Sequence, residues 1–368
     1  MTDLDQILPL WHALRESGTE YVLATVVTVE GSGYRKPGAR MLIAADGRRA
    51  GTISGGCLEA EVARKAFWRT ENGPVVRRYS TAAEDGEVPY GMGCGGIVHL
   101  LLERSATAGP MMERLAASFE RREPITIATV LEGDRIGQRA CWPAGDLDTD
   151  STNGLLKELA CRGFEEQRSF SDSMQTENLE LAAIRIEWNA ARPGLFVFGA
   201  GDDAIPLVRQ ARQLGWYVAV ADGRAHLVTQ ARFPEAHAVH VLASGNLSGL
   251  GMRSGDAAAV MTHSLEQDTR FLSALLREKP AYVGVLGPQR RTGEMLLSLA
   301  LESGVRETQV DAQVENWMER LYAPMGLDLG GNTPADIALA IIAEIQQCRH
   351  RASGMAMRVV RARDKSII

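Results

Sequence analysis

Cysteine is scarce in this chain, and its spacing shows no pairing. Five occur among 368 residues (Cys57, Cys94, Cys141, Cys161 and Cys348), an odd number without a Cys-x-x-Cys pair. That pattern argues against a disulfide framework or a zinc cluster, and a reducing cytoplasmic setting is expected. Long apolar runs are also missing: no stretch reaches the roughly twenty residues a membrane span needs. The first ten residues carry Asp3 and Asp5, with no basic segment ahead of an apolar one, so neither a secretion signal nor a membrane partner is expected. Positive charge is not in excess, since 40 Lys and Arg stand against 46 Asp and Glu for a net −6. A nucleic-acid partner held through its phosphates is therefore not expected, and any anion site must be local. The chain also lacks G-x-x-x-x-G-K-[ST], H-E-x-x-H and G-x-S-x-G, so no catalytic set announces itself.

What is present is ordinary globular composition, 45% hydrophobic and 23% charged, with 37 Gly and 14 Pro dispersed and no internal repeat. At about 150 residues per domain the length predicts two domains. Leu4, Ile7, Leu8, Trp11 and Leu14 recur at helical spacing, and Gly18 ends the pattern. Strands are predicted over 21–29, 39–44 and 49–53, with a turn at Asp46-Gly47, and further strands over 75–79, 97–102, 125–131 and 184–188. Helices are predicted over 57–68, 111–121 and 155–162, which makes residues 1–189 an α+β domain. The polar link at 189–194 then leads into strand–helix alternation. Short apolar strands over 195–198, 217–221, 238–242, 257–262 and 282–286 predict a Rossmann-like, doubly wound parallel sheet for residues 190–368. Thr333-Pro334 opens a nearly continuous apolar helix to Ile345, and the tail from Arg349 reads as irregular.

Two regions carry candidate chemistry. Gly199-Ala-Gly201-Asp-Asp-Ala204 follows a strand and opens a helix, and Asp222 closes the next strand at the spacing of a ribose-binding acid. The turn suits either a nucleotide- or pterin-like ligand or simply a tight strand-to-helix reversal, with Asp202 as a helix cap. Arg224, Thr262, His263, Gly287, Gln289, Arg290 and Arg291 fall at the carboxyl ends of neighbouring strands, where ligands bind in such sheets. In the first half, Gly31-Ser32-Gly-Tyr-Arg35-Lys36-Pro-Gly38 is a glycine-rich loop with two adjacent cations, and Arg40, Arg48 and Arg49 extend a locally basic stretch. Ser54-Gly55-Gly56-Cys57 places a thiol at the predicted start of a helix, and Gly91-Met-Gly-Cys94-Gly-Gly96 supplies a second thiol among glycines. Cys57 and Cys94 are either buried inert thiols or contacts to a soft metal centre.

Gly33-Tyr-Arg-Lys-Pro-Gly-Ala39, Gly51-Thr-Ile-Ser-Gly-Gly-Cys-Leu-Glu59, Gly93-Cys-Gly-Gly96, Phe198-Gly-Ala-Gly201, Thr262-His263, Val283-Gly-Val-Leu-Gly287 and Gly326-Leu-Asp-Leu-Gly-Gly-Asn-Thr-Pro334 together resemble the XdhC/CoxI family, in order and over nearly the whole chain. The resemblance implies a maturation factor for molybdenum hydroxylases such as xanthine dehydrogenase. Such a factor binds molybdenum cofactor, holds it while a cysteine desulfurase-type sulfur donor supplies the sulfido ligand, and passes it to the apo molybdenum hydroxylase. It implies Ser32, Arg35, Lys36, Ser54, Gly55, Gly56, Cys57 and Cys94 as contacts from the first domain, with Cys57 and Cys94 toward the molybdenum. Gly199, Gly201, Asp222, His263 and Arg290 are the contacts expected from the second. One departure is Asp202-Asp203 after Gly201, where many relatives carry His-Val. The competing expectation is an NAD(P)-dependent oxidoreductase using the Rossmann turn, with His263 as the one candidate for proton transfer. A homodimer is expected from the commonness of twofold symmetry.

Overall fold

The computed structural model describes residues 3–31, 34–56, 58–80, 96–143, 154–175, 181–242 and 245–364. They fall into two compact units, Met1–Arg192 and Pro193–Ile368.

The first unit holds two antiparallel sheets. Strands β1 (Tyr21–Glu30), β2 (Arg40–Ala44), β3 (Arg49–Gly51), β4 (Val75–Ser80) and β5 (Ile97–Arg104) form one, in the order β3-β2-β1-β5-β4. Strands β6 (Ile125–Val130), β7 (Arg139–Trp142), β8 (Phe170–Gln175) and β9 (Leu181–Asn189) form the other, in the order β7-β6-β9-β8. Strand β1 is buried continuously from Tyr21 to Val27 because both its faces are covered. Tyr21 and Leu23 join one core with Ile7, Trp11 and Leu14 of α1 (Asp3–Ser17) and Met112 and Leu115 of α3 (Ser105–Arg121). Val22, Ala24 and Val26 point the other way, onto Val62 and Ala66 of α2 (Glu59–Arg69). Helix α4 (Gly154–Glu165) covers the second sheet through Leu156, Leu159 and Ala160.

The second unit is a parallel sheet of β10 (Gly194–Phe198), β11 (Tyr217–Asp222), β12 (Ala238–Val241), β13 (Ala257–Val260) and β14 (Tyr282–Val285), ordered β12-β11-β10-β13-β14. That is the Rossmann order 3-2-1-4-5, with its switch point between β10 and β13. Helices α5 (Ala204–Gln213) and α9 (Pro334–His350) cover one face. Helices α6 (Leu265–Glu278) and α7 (Gln289–Glu302) cover the other. Helices α8 (Val310–Met318) and α10 (Met357–Asp364) follow the sheet in sequence; α10 replaces part of the irregular tail expected from Arg349.

Three differences from expectation have physical causes. The helix expected from Cys57 begins at Glu59, whose side chain is engaged by the preceding turn at Thr52, Ile53 and Ser54. Strands β7 and β8 carry no apolar run: both lie at sheet edges, and β8 alternates half-buried with exposed positions. Asp202 does not cap α5; the cap position falls on Asp203, whose side chain makes no capping bond.

Candidate functional site

In the first unit the signature turn is built around one carboxylate. Glu59 Oε1 accepts from the Thr52 hydroxyl (2.5 Å), the Ile53 N–H (3.2 Å) and the Ser54 N–H (2.9 Å), and Oε2 accepts from the Ser54 hydroxyl (2.5 Å). Ser54 Oγ in turn accepts the N–H groups of Gly56 (3.3 Å) and Leu58 (3.1 Å). Burial by itself would raise the Glu59 pKa, but the Ser54 and Thr52 hydroxyls and the Ser54 N–H outweigh it and bring it from 4.5 to about 2. The carboxylate is thus ionised and saturated, and Gly55 and Gly56 stand exposed at the crest of the turn. The exposed Tyr34 ring lies beside Gly55, 3.5 Å from where a Cβ on that glycine would sit.

The basic stretch is less basic in space than in sequence. Arg35 is ion-paired with Asp3, whose carboxylate also accepts the Arg40 N–H at 3.3 Å. Arg40 is buried and bonds Glu187 at 2.7 Å and the Gly38 carbonyl at 2.9 Å. Arg48 pairs with Asp46 at 2.6 Å. Lys36 is exposed and enters no ion pair among the described residues. Ser32, Cys57 and Cys94 lie outside the described residues.

In the second unit, Gly199, Gly201, Asp222 and His263 come together at the carboxyl edge of the sheet. Gly199 adopts φ +133°, and a Cβ there would run into the Met261 carbonyl of the adjoining strand end. Asp222 is fully buried. It accepts the Ala200 N–H (2.8 Å), the Arg224 N–H (2.9 Å), and Arg224 Nε (2.9 Å) and Nη2 (2.6 Å). Burial would raise its pKa, yet the Arg224 guanidinium and these backbone donors hold it below the usual carboxylate range. His263 has φ +63° and bonds Asp203 through Nε2 at 2.9 Å. Arg290 is not drawn in: it is 90% exposed and pairs with Glu294 one turn along α7. Arg291 is the inward neighbour, bonding the buried Asp268 at 2.6 Å, which also accepts the Thr262 hydroxyl at 2.6 Å.

Asp3, Glu59, Glu187, Asp268 and Arg232, which donates to the Ala200 carbonyl at 3.2 Å and to Asp202 at 2.8 Å, organise these two places without having been singled out by pattern. Only Glu59 had a local signal, an acid on the first helical turn just after a Ser-Gly-Gly segment. Among the described residues no group of three or more His, Cys, Asp and Glu could hold a metal ion, and no helix is long and apolar enough to cross a membrane.

Comparison with known proteins agrees with this architecture. The XdhC and CoxI family profile matches residues 14–80, and the XdhC Rossmann domain profile matches residues 195–345. The chain is 31% identical over 352 residues to a probable xanthine dehydrogenase subunit of Bacillus subtilis (strain 168), covering 93% of this chain and 97% of that protein. It is 23% identical over 342 residues to the molybdenum cofactor insertion chaperone PaoD of Escherichia coli (strain K12), covering 90% and 85%. A crystal structure described as a xanthine dehydrogenase from Bacillus halodurans superposes with a TM-score of 0.71 at 26% identity, over 97% of this chain and 98% of that one. With both profiles matched in order and a relative aligned nearly end to end, the protein belongs to the XdhC/CoxI family.

Proposed function

We propose that this chain is a maturation factor that holds molybdenum cofactor for sulfuration and passes it to a xanthine dehydrogenase-type molybdenum hydroxylase. Family membership and the similarity to an insertion chaperone support a maturation role. The observation that carries the cofactor-holding part is the turn at residues 52–56. One saturated carboxylate fixes it, and it presents Gly55 and Gly56 beside the exposed Tyr34 ring, on a loop that also bears Lys36.

The cargo is an anionic pterin phosphate with a dithiolene-bound metal, and the residues present suit its parts. An ammonium suits the phosphate, an aromatic face suits the pterin, and glycines permit close backbone approach. In this reading Lys36 meets the phosphate, Arg35 is positioned by Asp3, and Ser54, Gly55 and Gly56 form the platform. Cys57 and Cys94 supply thiolates toward the molybdenum, a soft-ligand role. In the second unit, exposed His263 and Arg290 are open to ligand, while Asp222 acts behind them by fixing the Gly199–Gly201 turn. The client is an apo molybdenum hydroxylase, and the sulfur comes from a cysteine desulfurase-type donor. The setting is cytoplasmic and the assembly a homodimer.

The test is purification from cells that make molybdenum cofactor, followed by metal and pterin analysis. Near-stoichiometric molybdenum and pterin are expected in the parent, with retention lowered roughly tenfold in Lys36→Ala by loss of one charge-assisted contact. A parent free of both molybdenum and pterin refutes the holding role. Cys57→Ser and Cys94→Ser variants that retain cofactor as well as the parent refute the thiolate assignment.

A further inference from the structure

In a parallel sheet of this order a dinucleotide lays its pyrophosphate on the first glycine turn and a ribose on the acid that ends the second strand. Both places are filled here by the chain itself. Asp222 is fully buried, and its two oxygens already accept four N–H donors, from Ala200 and Arg224. A carboxylate has about four lone-pair sites, so none is left for ribose hydroxyls. On the glycine turn, the Asp203 carboxylate folds back: Oδ1 occupies the space where a Cβ on Gly201 would stand, and Oδ2 lies 2.9 Å from His263 Nε2.

The charges around the turn give the same result. Arg232 pairs with Asp202 at 2.8 Å, Arg224 with Asp222 at 2.6 Å, Arg291 with Asp268 at 2.6 Å, and Arg290 with Glu294 at 3.0 Å. Each of these four guanidinium groups is matched by a carboxylate. Asp203, among the described residues, is ion-paired only with an imidazole of 64% side-chain exposure. A helix N-terminus attracts a diphosphate through positive potential, and here a carboxylate that no guanidinium pairs stands on that spot.

We infer that Asp203 is a specificity-determining residue that closes this Rossmann turn to diphosphates, so that the second unit does not take NAD(P) or any other dinucleotide. The crevice instead suits neutral groups bearing hydrogen-bond donors. The oxidoreductase alternative then loses its cofactor site, although its fold is present.

The test is titration of the intact protein with NADH, followed by fluorescence, and with inorganic pyrophosphate, followed by phosphorus NMR. The parent is expected to show no NADH binding below about 1 mM, and Asp203→Asn to bind pyrophosphate about tenfold more tightly than the parent. A parent that binds NADH more tightly than about 1 mM overturns the inference. So does unchanged pyrophosphate affinity in an Asp203→Asn protein whose circular dichroism and thermal unfolding match the parent, with Asp203→Ser as the second variant if the first does not fold. Both readouts use nucleotide and pyrophosphate alone, so they stand apart from whether molybdenum cofactor binds.

Discussion

Glu59 sets the shape of the turn at residues 52–56 through its carboxylate. Its four accepted bonds fix Thr52, Ile53 and Ser54, and through Ser54 Oγ they reach Gly56 and Leu58. Because the folded-state pKa is depressed from 4.5 to about 2, ionised Glu59 favours the folded state fully above about 4.5, and that contribution is lost as pH falls toward 2. Glu59→Gln should therefore cost about 2 kcal/mol at neutral pH, with the gap to the parent closing between about pH 4.5 and 2. Urea unfolding of both proteins across that range measures it, and a gap that stays constant down to pH 2 contradicts the assigned role. Arg40 shows the opposite side of residue-level reading. In sequence it belongs to a basic loop, but in space it is buried and spent on Glu187, 147 positions away. No local pattern could have exposed that partner, and the same is true of Arg35 with Asp3.

At the scale of elements, capping and backbone conformation decide where segments begin. The start of α9 was legible: Thr333 Oγ1 accepts the Asp336 N–H at 3.2 Å while Asp336 Oδ2 accepts the Thr333 N–H at 3.1 Å, with Pro334 on the first turn. Thr333→Ala should destabilise the second unit by about 1 kcal/mol, read as a lowered midpoint of chemical unfolding with unchanged slope. The turn after β10 is more demanding. Gly199 combines φ +133° with a Cβ position blocked by the Met261 backbone, which cannot rotate away as a side chain could. Gly199→Ala should cost about 3 kcal/mol or more, seen in thermal unfolding, and a near-neutral effect would mean that the β10–β13 edge can relax. Edge strands β7 and β8 escaped the pattern because only one side of each is paired and few of their positions are buried; β8 alternates, but its half-buried side carries Asp172 between Phe170 and Met174, so the apolar signal is broken.

For the whole molecule, each unit carries its own core. The clusters centred on Leu23, Leu100 and Ile184 belong to the first, and those centred on Val197 and Phe196 to the second. Fragments 1–192 and 193–368 should each unfold cooperatively by circular dichroism when made separately. A fragment lacking a transition would show that its core is completed elsewhere. Arg192, at the end of the first unit, stacks over Phe119 and bonds Asp5 at 2.8 Å, so the first fragment should keep this residue.

The sequence by itself determined the Rossmann-type sheet, the α+β character of the first half and the family. Short apolar strands buried on both faces, helical spacing and glycine-bearing turns are local patterns, and each element meets its own requirement within a few residues. Only the tertiary structure decided which charges remain open. Arg35 and Arg40 of the first unit are matched by acids from distant segments, and the buried Asp222 and Asp268 of the Rossmann edge are matched by Arg224 of the following loop and Arg291 of α7, leaving Asp203 with an imidazole among the described residues. Pairing depends on distance in space, which the order of residues does not encode locally, so a motif that spells a dinucleotide turn became one filled by its own side chains.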